Sequence, residues 1–425
     1  GTVGGGTLTV LRRNETEITR RAGRAILVKA AVVRNLAKAQ AHAGSDIKIS
    51  TDVADVVDNP DIDIVVELIG GTSQAKDWVL RAIANGKHVV TANKALLALH
   101  GNEIFAAAQA KGVMVAFEAA VAGGIPIIKA VREGLSANRI EWVAGIINGT
   151  TNFILSEMRD KGLAFDTVLA EAQRLGYAEA DPTFDIEGVD AAHKLTILAA
   201  IAFGIPMQFD KAYIEGISKL TREDIQYAEE LGYRIKLLGI TKRVGQGIEL
   251  RVHPTLIPYR RLIANVEGVM NAVLVKGDAV GATLYYGRGA GAEPTASAVV
   301  ADLVDVTRMH TADPEHRVPH LAFQPDALSA EPVLPMSEVR TAYYLRMRAL
   351  DQPGVLADIT RILADLGISI DAMLQKEPSA NETLVDIIML THETVEKHID
   401  SAIKQIQALS TIPGAVTKLR LETLG

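Results

Sequence analysis

Residues 176–194 read GYAEADPTFDIEGVDAAHK, and the rest of the chain is organised around this stretch. It joins five acidic residues to a single lysine. Asp181 precedes a proline, and a residue in that position is pushed out of the helical region, so any preceding helix ends there. On a helix that begins near Glu187, Asp190 and Lys194 are four residues apart and share one face. The stretch therefore predicts an acidic loop that leads into a helix carrying an Asp and a Lys.

The simplest interpretation of these charges is a solvated loop with a surface ion pair, which contributes only about 0.3–0.5 kcal/mol. Residues 195–203 (LTILAAIAF) argue against it, because they predict a helix that is buried on most sides. Charges on a buried helix are costly unless they are paired. An acidic loop beside a lysine can bind a small cationic ligand and move a proton, so we interpret this stretch as a candidate active site.

The composition limits the classes of protein to which the chain can belong. Its 425 residues predict two or three domains. The net charge of −7 argues against nucleic acid as the main partner. No apolar run approaches the roughly eighteen residues that a membrane span needs, and no targeting signal is visible. We therefore expect a cytoplasmic protein without a nucleic-acid or membrane partner.

The chain contains no cysteine. This excludes disulfides and thiolate metal sites. It also excludes aldehyde oxidation through a covalent thiol adduct, because that route needs a cysteine nucleophile. Direct reduction of an aldehyde by hydride transfer stays open.

The first 125 residues predict a dinucleotide-binding domain with a doubly wound parallel sheet of the Rossmann type. Short apolar strands alternate with helices, which is the pattern of such a sheet. The predicted strands are residues 25–33, 61–68, 87–91 and 113–117, and the predicted helices are residues 73–85 and 95–110.

A glycine-rich segment, GTVGGG, opens the chain and predicts a phosphate-binding loop that leads into a helix. Gly1 and Gly4, with Thr2 and Val3 between them, have the spacing of the second and third glycines of a dinucleotide fingerprint. The first glycine and the strand before it are missing, so we expect the sequence to begin inside the motif. A flexible glycine-rich terminus is the alternative.

Three basic residues at predicted strand ends are candidates for contact with the cofactor. Arg34 follows the strand at residues 25–33, with Lys38 one turn further on. An arginine there accommodates a 2′-phosphate, so the pair favours NADP, with NAD possible. A solvated basic helix start is the alternative. Lys94 follows the strand at residues 87–91 and begins a helix, where the helix dipole disfavours a cation, so a role at the junction of cofactor and substrate is favoured.

From residue 126 the pattern changes. Residues 126–293 predict an α+β domain for substrate binding and dimerisation, because a run of strands follows helices. Such a sheet often carries a subunit interface, so we expect at least a dimer. The glycine-rich loop at residues 287–291 can offer amides to a cofactor, and the helix at residues 294–310 follows it. The predicted strands are residues 139–148, 233–241, 248–254, 266–275 and 283–286.

The last part of the chain predicts a linker and a small separate domain. Residues 311–340 contain five prolines and predict an irregular linker. Residues 341–425 predict a βαββαβ order, which is the ferredoxin-like arrangement. The predicted elements are strands at residues 341–350, 368–376, 383–391 and 415–421 and helices at residues 354–366 and 393–409.

The acidic stretch resembles the signature of the homoserine dehydrogenase family. The matching pattern is Ala172-x3-Gly176-Tyr177, then Asp181-Pro182-x2-Asp185-Ile186-x-Gly188-x-Asp190-x3-Lys194. The segment TANKAL at residues 91–96 is also similar to a motif of that family. The resemblance covers the whole chain, including a C-terminal domain that resembles the ACT domain, a small ligand-binding module.

The resemblance implies NAD(P)H-dependent reduction of L-aspartate 4-semialdehyde to L-homoserine, a step in threonine, methionine and isoleucine biosynthesis. Because the substrate is an amino acid, its ammonium group needs carboxylates, for which Glu179 and Asp185 are candidates near Gly176. Lys194 is the candidate proton donor and Lys94 the second cation. Asp190 would bind the reacting end or orient Lys194. We expect nearby carboxylates to keep Lys194 protonated.

The same resemblance implies further ligands. Gly291 would lie near the cofactor. Backbone oxygens of Glu118, Val121, Gly123 and Ile125 would hold a monovalent cation, sodium in this family, although the residues alone support only an interdomain hinge. Asp351, Gly354, Val355 and Leu356 resemble the ACT ligand loop, which implies feedback inhibition by L-threonine in a homodimer or homotetramer. A pure dimerisation module is the alternative for this domain.

Two other functions stay open at this point. One is a different NAD(P)-dependent amino-acid dehydrogenase, which would release ammonia and would not need an ACT-like domain. The other is a catalytically idle amino-acid sensor, which would need neither the two lysines nor the acidic loop.

Overall fold

The structure is a computed structural model that describes residues 1–376 and 383–425. Its N-terminal part contains α1 (Thr2–Arg13), α2 (Glu15–Ala22), β1 (Ala30–Val32), α3 (Leu36–Ala43), β2 (Lys48–Ser50), α4 (Ala54–Val57), β3 (Ile64–Glu67), α5 (Gln74–Ala84), β4 (His88–Thr91), α6 (Lys94–Lys111) and β5 (Val115–Ala116).

The middle of the chain contains α7 (Ile127–Lys129), which continues as a wider helical turn at Ala130–Gly134, then β6 (Ile140–Ile146), α8 (Gly149–Lys161), α9 (Phe165–Arg174), α10 (Thr183–Ile186), α11 (Val189–Phe203), β7 (Tyr213–Ile214), α12 (Arg222–Glu230), β8 (Tyr233–Val244), β9 (Gly247–Pro258), β10 (Met270–Gly277), β11 (Gly281–Arg288) and α13 (Ala292–Met309). The C-terminal part contains β12 (Arg340–Leu350), α14 (Val355–Asp365), β13 (Ile370–Gln375), β14 (Leu384–Thr391), β15 (Thr394–Val395), α15 (Glu396–Ile406) and β16 (Thr417–Leu421).

Helices cover both faces of the N-terminal parallel strands β3, β4 and β5. Successive residues of a strand point to opposite faces. Val65 and Val89 accordingly pack in the core that contains α5 and α6, whereas Val66 and Val90 pack with α1 and α13. The predicted doubly wound fold class is confirmed, and α13 returns to this part of the molecule.

The first predicted strand, residues 25–33, is wrong in extent and burial. Only β1 is extended within that range, and its residues are half-buried. It pairs in parallel with β2, a strand that the sequence prediction missed. Because β2 offers only three residues, the apolar residues before β1 have no ladder partner.

The opening glycines also differ from the prediction. Helix α1 begins at Thr2, so Gly4 and Gly6 lie inside a helix and not in a loop. A Cβ at Gly6 would lie 2.5 Å from the carbonyl oxygen of Ala292, so glycine lets α1 approach the start of α13. The helix N-terminus therefore falls at Gly1.

The remaining strands form one large mixed sheet in the order β11-β10-β6-β8-β9-β16-β12-β14-β13, with β7 beside β9 and β15 beside β12. Within its C-terminal part the order β16-β12-β14-β13 is antiparallel, with α14 and α15 packed on one face through Leu345, Ile359 and Ile399. This is the predicted ferredoxin-like arrangement, which is confirmed.

Strand β16 joins the two halves of this sheet. Arg420 and Leu421 pair in parallel with Thr255 and Leu256 of β9, while the other edge of β16 pairs with β12. The proline-rich segment before β12 is irregular, as predicted, but it is packed: the Leu334 amide donates to the carbonyl of Ile248 at the start of β9. In the described part of the chain, no helix is both long and apolar enough to cross a membrane.

Candidate active site

The site is built where β6 ends and α8 begins. Asn148 caps α8, because its Oδ1 accepts a hydrogen bond of 2.9 Å from the Thr151 amide. The helix therefore starts at Gly149, directly after its capping residue. Thr150 Oγ1 donates to the carbonyl of Tyr177 at 2.6 Å, which ties the acidic loop to the first turn of α8.

Helix α11 supplies the predicted Asp–Lys pair. It starts at Val189, because Gly188 adopts a left-handed conformation with φ of 83° and ends the short helix α10. Lys194 Nζ lies 2.6 Å from Asp190 Oδ2, and Asp190 is only 4% exposed. Lys194 Nζ also donates to the carbonyl of Ile147 at 2.7 Å. The predicted pairing on one helix face is therefore present.

A second lysine reaches the same carboxylate from the dinucleotide part. Asn93 caps α6, with its Oδ1 3.1 Å from the Leu96 amide, and this fixes the first helical residue, Lys94. Lys94 Nζ lies 3.1 Å from Asp190 Oδ1. Asp190 therefore lies between two ammonium groups that come from different helices, α11 and α6.

Asp185 stands next to this group. It lies on α10, and its Oδ1 accepts a hydrogen bond of 2.8 Å from Asn148 Nδ2. The same Nδ2 donates to Asp190 Oδ2 at 2.9 Å. Two lysines and two carboxylates thus converge with no formal net charge, which suits a zwitterionic ligand. Sequence reasoning missed Asn148. Its only local signal is that it lies between a strand and a helix.

Burial and charge act against each other at this cluster. Burial alone would raise the pKa of Asp190, but Lys194 and Lys94 outweigh it and hold that pKa well below its usual range. Burial raises the pKa of Asp185, while its hydrogen bond from Asn148 opposes the rise. Burial also lowers the pKa of Lys194, and Lys94 adds to this although Asp190 opposes it. Desolvation is thus the larger effect on the pKa of Lys194, and the carboxylates oppose it, as expected of neighbours that favour the protonated form.

Two of the predicted substrate residues lie at the rim. Gly176 ends α9 in a left-handed conformation with φ of 76°. Glu179 is exposed. Its backbone carbonyl accepts a hydrogen bond of 3.1 Å from Gln173 Nε2, which holds the loop. In the described residues its carboxylate makes no hydrogen bond to the central group.

A histidine that the sequence reasoning did not single out lies beside this group. His193 is buried, and its ring packs against Phe184 at 5.4 Å and Phe209 at 4.3 Å between centroids. Burial lowers the pKa of His193 to about 4, so the ring is neutral near pH 7. The neutral ring borders the site together with the two phenylalanines. A histidine inside a helix gives no sequence signal that it borders a site.

The predicted cofactor residues gather at the carboxyl ends of the N-terminal strands. Gly1, Thr2, Val3 and Gly4 form the start of α1, and Arg34 and Lys38 are exposed beyond the end of β1. Gly291, with φ of 129°, is the residue before α13, and the first residue of α13 lies against Gly6 of α1.

Further polar residues fix this edge of the sheet and were missed. Glu67 Oε1 accepts hydrogen bonds from the amides of Ile69 at 2.9 Å and Gly70 at 3.1 Å. Its other oxygen accepts from Thr91 Oγ1 at 2.7 Å. Asn93 Nδ2 donates to the carbonyl of Gly71 at 2.7 Å. These bonds hold the loop after β3 against the start of α6.

The segment at residues 118–125 crosses between the two parts of the molecule. Glu118 is buried, and its carboxylate accepts the amides of Ile128 and Lys129, both at 2.9 Å. Gly123 has φ of 47°, and a Cβ there would lie 2.4 Å from the carbonyl of Gly289, so the backbone approach requires glycine. Val121 and Gly123 are buried, and none of the described residues donates a hydrogen bond to their carbonyl oxygens. The other two predicted ligands already accept backbone amides: the Glu118 carbonyl accepts Val121 at 3.5 Å and the Ile125 carbonyl accepts Ile127 at 2.8 Å. Carbonyl oxygens are ligands that hard cations prefer, so Val121 and Gly123 fit such an ion best.

The predicted ligand loop of the C-terminal domain borders a cavity of about 160 Å³. Its lining includes the four predicted residues Asp351, Gly354, Val355 and Leu356, together with Gln375 and Val385. This volume is well below the roughly 300–1,000 Å³ of drug-sized sites, so it suits a ligand of amino-acid size.

Family models match along most of the chain. Residues 1–118 match the NAD binding domain of homoserine dehydrogenase, residues 126–304 match the homoserine dehydrogenase domain, and residues 343–411 match the ACT domain. These matches agree with the parallel sheet of a dinucleotide-binding domain and with the cluster of lysines and carboxylates beside it. Together they define an NAD(P)-dependent oxidoreductase that acts on a CH–OH group.

The relatives give the particular family. The chain is 65% identical to the homoserine dehydrogenase of Pseudomonas aeruginosa over 100% of this chain and 97% of that protein. It superposes with a TM-score of 0.96 on the crystal structure of a homoserine dehydrogenase from Thiobacillus denitrificans, at 76% identity over 100% and 97% of the two chains. The chain therefore belongs to the homoserine dehydrogenase family, as the resemblance predicted, and this excludes the two alternative functions.

A more distant structure carries a cofactor. A hyperthermophilic archaeal homoserine dehydrogenase in complex with NADPH superposes with a TM-score of 0.62 at 25% identity, over 72% of this chain and 95% of that one.

Proposed function

We propose that this chain reduces L-aspartate 4-semialdehyde to L-homoserine with NADPH as its preferred cofactor, in the biosynthesis of threonine, methionine and isoleucine, and that L-threonine inhibits it. The observation that carries the catalytic part is Asp190, held by two lysines at 2.6 and 3.1 Å with Asp185 alongside. This arrangement offers separate groups for the ammonium and the reacting end of a small amino acid.

The substrate ammonium binds Asp185, with Glu179 approaching from the exposed loop after Gly176. Asp185 suits this role because it has no ion-pair partner among the described residues, whereas Asp190 is already compensated twice. The substrate ammonium supplies the positive partner that Asp185 lacks among the described residues. Its charge stabilises the ionised form of the carboxylate.

The chemical step needs a hydride at the aldehyde carbon and a proton at its oxygen. The nicotinamide supplies the hydride when the cofactor is bound. Lys194 donates the proton to the oxygen, and its lowered pKa makes this donation easier. Lys94 polarises the carbonyl as the second cation. Asp190 orients both ammonium groups and keeps them at the site of the reacting oxygen.

The cofactor preference rests on Arg34. It is exposed just beyond the end of β1, where a guanidinium accommodates a 2′-phosphate. Lys38 lies one turn into α3 and adds positive charge. The start of α1 at Gly1 to Gly4 would offer backbone amides to the phosphates, and Gly291, before α13, would lie near the cofactor.

A monovalent cation, sodium, is held by the backbone oxygens of Glu118, Val121, Gly123 and Ile125. Two buried carboxylates lie near this segment, Glu118 and Asp302, and Asp302 accepts the Glu118 amide at 2.8 Å. Lys129 lies 3.9 Å from Asp302 and compensates part of this negative charge. The cation would stiffen the crossing between the cofactor and substrate parts.

The reaction is tested by following the nicotinamide absorbance with purified protein, L-homoserine and either NADP⁺ or NAD⁺. We expect homoserine-dependent reduction of both cofactors with higher kcat/KM for NADP⁺. Faster reduction of NAD⁺ would overturn the proposed preference. No reduction of either cofactor by folded protein would overturn the proposed reaction.

Feedback inhibition is proposed for the cavity at the start of α14, in an assembly that is a homodimer or homotetramer. A ligand there reaches the catalytic sheet through β16, which is hydrogen-bonded to both β12 and β9. The cavity suits L-threonine because Asp351 can bind its ammonium and the Val385 side can hold its methyl group.

We expect Asp351→Ala to raise the threonine concentration for half-inhibition about tenfold, since a charge-assisted hydrogen bond is worth roughly 1.5–3 kcal/mol. Activity without threonine should not change. Asp365→Ala, at the exposed far end of α14, is the matched control. Equal inhibition curves for the wild type and Asp351→Ala would remove this residue from the effector site.

A further inference from the structure

We propose that Asn148 is a positioning residue of the active site: its side-chain amide fixes the separation of Asp185 and Asp190, and it keeps Asp185 ready to accept an ammonium group. This inference rests on the proposed function, because it gives Asp185 and Asp190 their substrate roles. None of the substrate's own atoms is assigned to Asn148.

The orientation of the amide is determined by the helix it caps. Asn148 Oδ1 accepts two hydrogen bonds from Thr151, at 2.9 Å from the amide and 3.0 Å from Oγ1. An oxygen must therefore face α8, and the NH₂ group must face the opposite way. An amide nitrogen has two hydrogens, and here each has its own carboxylate, with Asp185 at 2.8 Å and Asp190 at 2.9 Å.

This residue has no freedom to turn away. Asn148 is 5% exposed, so its polar atoms have no access to alternative water partners. Its neighbour Ile147 accepts Lys194 Nζ at 2.7 Å through its carbonyl. Two consecutive residues at the end of β6 therefore hold the proton donor and both carboxylates in one frame.

A neutral donor suits this position better than a charged one. Charged groups approach Asp185 from two helices: Asp190 and Lys194 from α11, and Lys94 from α6. Asp190 repels the ionised form of Asp185, and burial adds to that effect. A third cation would compete with the substrate ammonium, whereas an amide lowers the pKa of Asp185 without carrying charge.

The test separates positioning from helix capping. Asn148→Ser keeps a good capping oxygen for the Thr151 amide, but the shorter side chain cannot reach the two carboxylates. We expect KM for homoserine to rise about 10-fold to 100-fold, the usual effect of losing a hydrogen bond to a charged group. The Kd for NADP⁺, measured by fluorescence titration, should stay within about twofold of the wild-type value.

The pH profile gives a second readout. Loss of the amide raises the pKa of Asp185, and only ionised Asp185 binds ammonium. The acid limb of homoserine binding, measured as Kd by titration at each pH so that no proton transfer to Lys194 is involved, should therefore move to higher pH. In an Asp185→Asn background the same substitution should cause no such movement, because the titrating group is gone. A capping role alone predicts an unshifted limb and a normal KM for Asn148→Ser.

Three outcomes are distinguishable. An inactive, folded wild type overturns the proposed function itself. An active wild type with wild-type KM and acid limb in Asn148→Ser overturns only the role of Asn148. If the serine variant does not fold, Asn148→Thr decides, because it also keeps a capping oxygen, adds no charge and cannot donate to both carboxylates: a lower kcat/KM for homoserine supports positioning, and an unchanged value overturns it.

Discussion

Lys194→Met is expected to lower kcat for homoserine oxidation by about 10²-fold to 10⁴-fold, the range that general acid–base catalysis provides. Lys194 Nζ lies 2.6 Å from Asp190 with its side chain 12% exposed, and Lys94 contacts the other oxygen of the same carboxylate. Methionine fills a similar volume without a titratable group. The measurement is steady-state reduction of NADP⁺, with cofactor affinity determined separately by fluorescence, which should not change.

Lys236→Met is the matched control for losing a buried lysine. Lys236 is also buried in the substrate part, and its Nζ donates to the carbonyl of Val266 at 2.6 Å, away from the catalytic cluster. We expect it to reduce stability while turnover of the folded enzyme stays within about twofold. Comparable turnover in Lys194→Met and the wild type would contradict the proposed mechanism.

The pH dependence gives Lys194 a distinct signature. In the oxidation direction Lys194 must be neutral to accept the hydroxyl proton, so kcat rises as pH rises through its pKa. Burial lowers that pKa, which brings the rise to lower pH than for a solvated lysine. Lys194→Arg should remove this rise, because a guanidinium does not lose its proton in this range.

The sequence predicted those features that depend on local pattern. The apolar run after Lys194 and the spacing from Asp190 were enough to predict a buried helix with both groups on one face. Alternating strands and helices predicted the doubly wound part, and the βαββαβ order predicted the C-terminal domain. In each case neighbouring residues carry the information, since helix and strand periodicity is a local property.

The features that were missed depend on distant residues. Asn148 reads as the end of a strand, and nothing near it signals two carboxylates 37 and 42 positions away. The direction of the pKa shift at Lys194 depends on how deeply the finished fold buries it. The pairing of β16 with β9 could not be predicted, because the alternation of Leu419 and Leu421 is the same for any neighbouring strand.

Arg420→Met is expected to destabilise the protein by about 3–5 kcal/mol, the usual cost of removing one partner of a buried ion pair. The Arg420 side chain is 1% exposed and lies on β16, where the C-terminal domain meets the catalytic sheet. Its Nε lies 3.0 Å from Glu396 and its Nη1 lies 2.7 Å from Glu215. Its guanidinium also lies 4.8 Å from the ring centroid of Tyr213.

The substitution leaves two carboxylates with fewer partners, the buried Glu396 and the half-buried Glu215. Burial favours the neutral acid at Glu396, but Arg420 and Lys418 hold its pKa below the ordinary value. Without Arg420 that charge keeps Lys418 and the hydroxyl of Tyr343, at 2.8 Å, as partners. Glu215 loses its one cation among the described residues and keeps the hydroxyl of Tyr213 at 2.7 Å.

The disturbance should extend to the active site, because Glu215 precedes a tightly packed turn. A Cβ at Gly216 would lie 2.3 Å from the carbonyl of Ile186, and the Ile217 amide donates to that same carbonyl at 2.8 Å. Ile186 is the last residue of α10, which carries Asp185. We therefore expect Arg420→Met to raise KM for homoserine and to weaken inhibition by threonine.

Calorimetry measures the stability effect as a fall of several degrees in Tm. Arg174→Met is the matched control, since its partner Glu171 and Arg174 itself are both exposed, and an exposed pair contributes only about 0–1 kcal/mol.

Replacing Glu396 as well, in Arg420→Met/Glu396→Met, should recover part of the loss, because the buried Glu396 charge is then removed together with its partner. A Tm for Arg420→Met equal to that of Arg174→Met would mean that the ion pairs of Arg420 do not stabilise the contact between the C-terminal domain and the catalytic sheet. If Arg420→Met/Glu396→Met is less stable than Arg420→Met, the loss of stability comes from the lost ion pair itself and not from leaving Glu396 buried without Arg420.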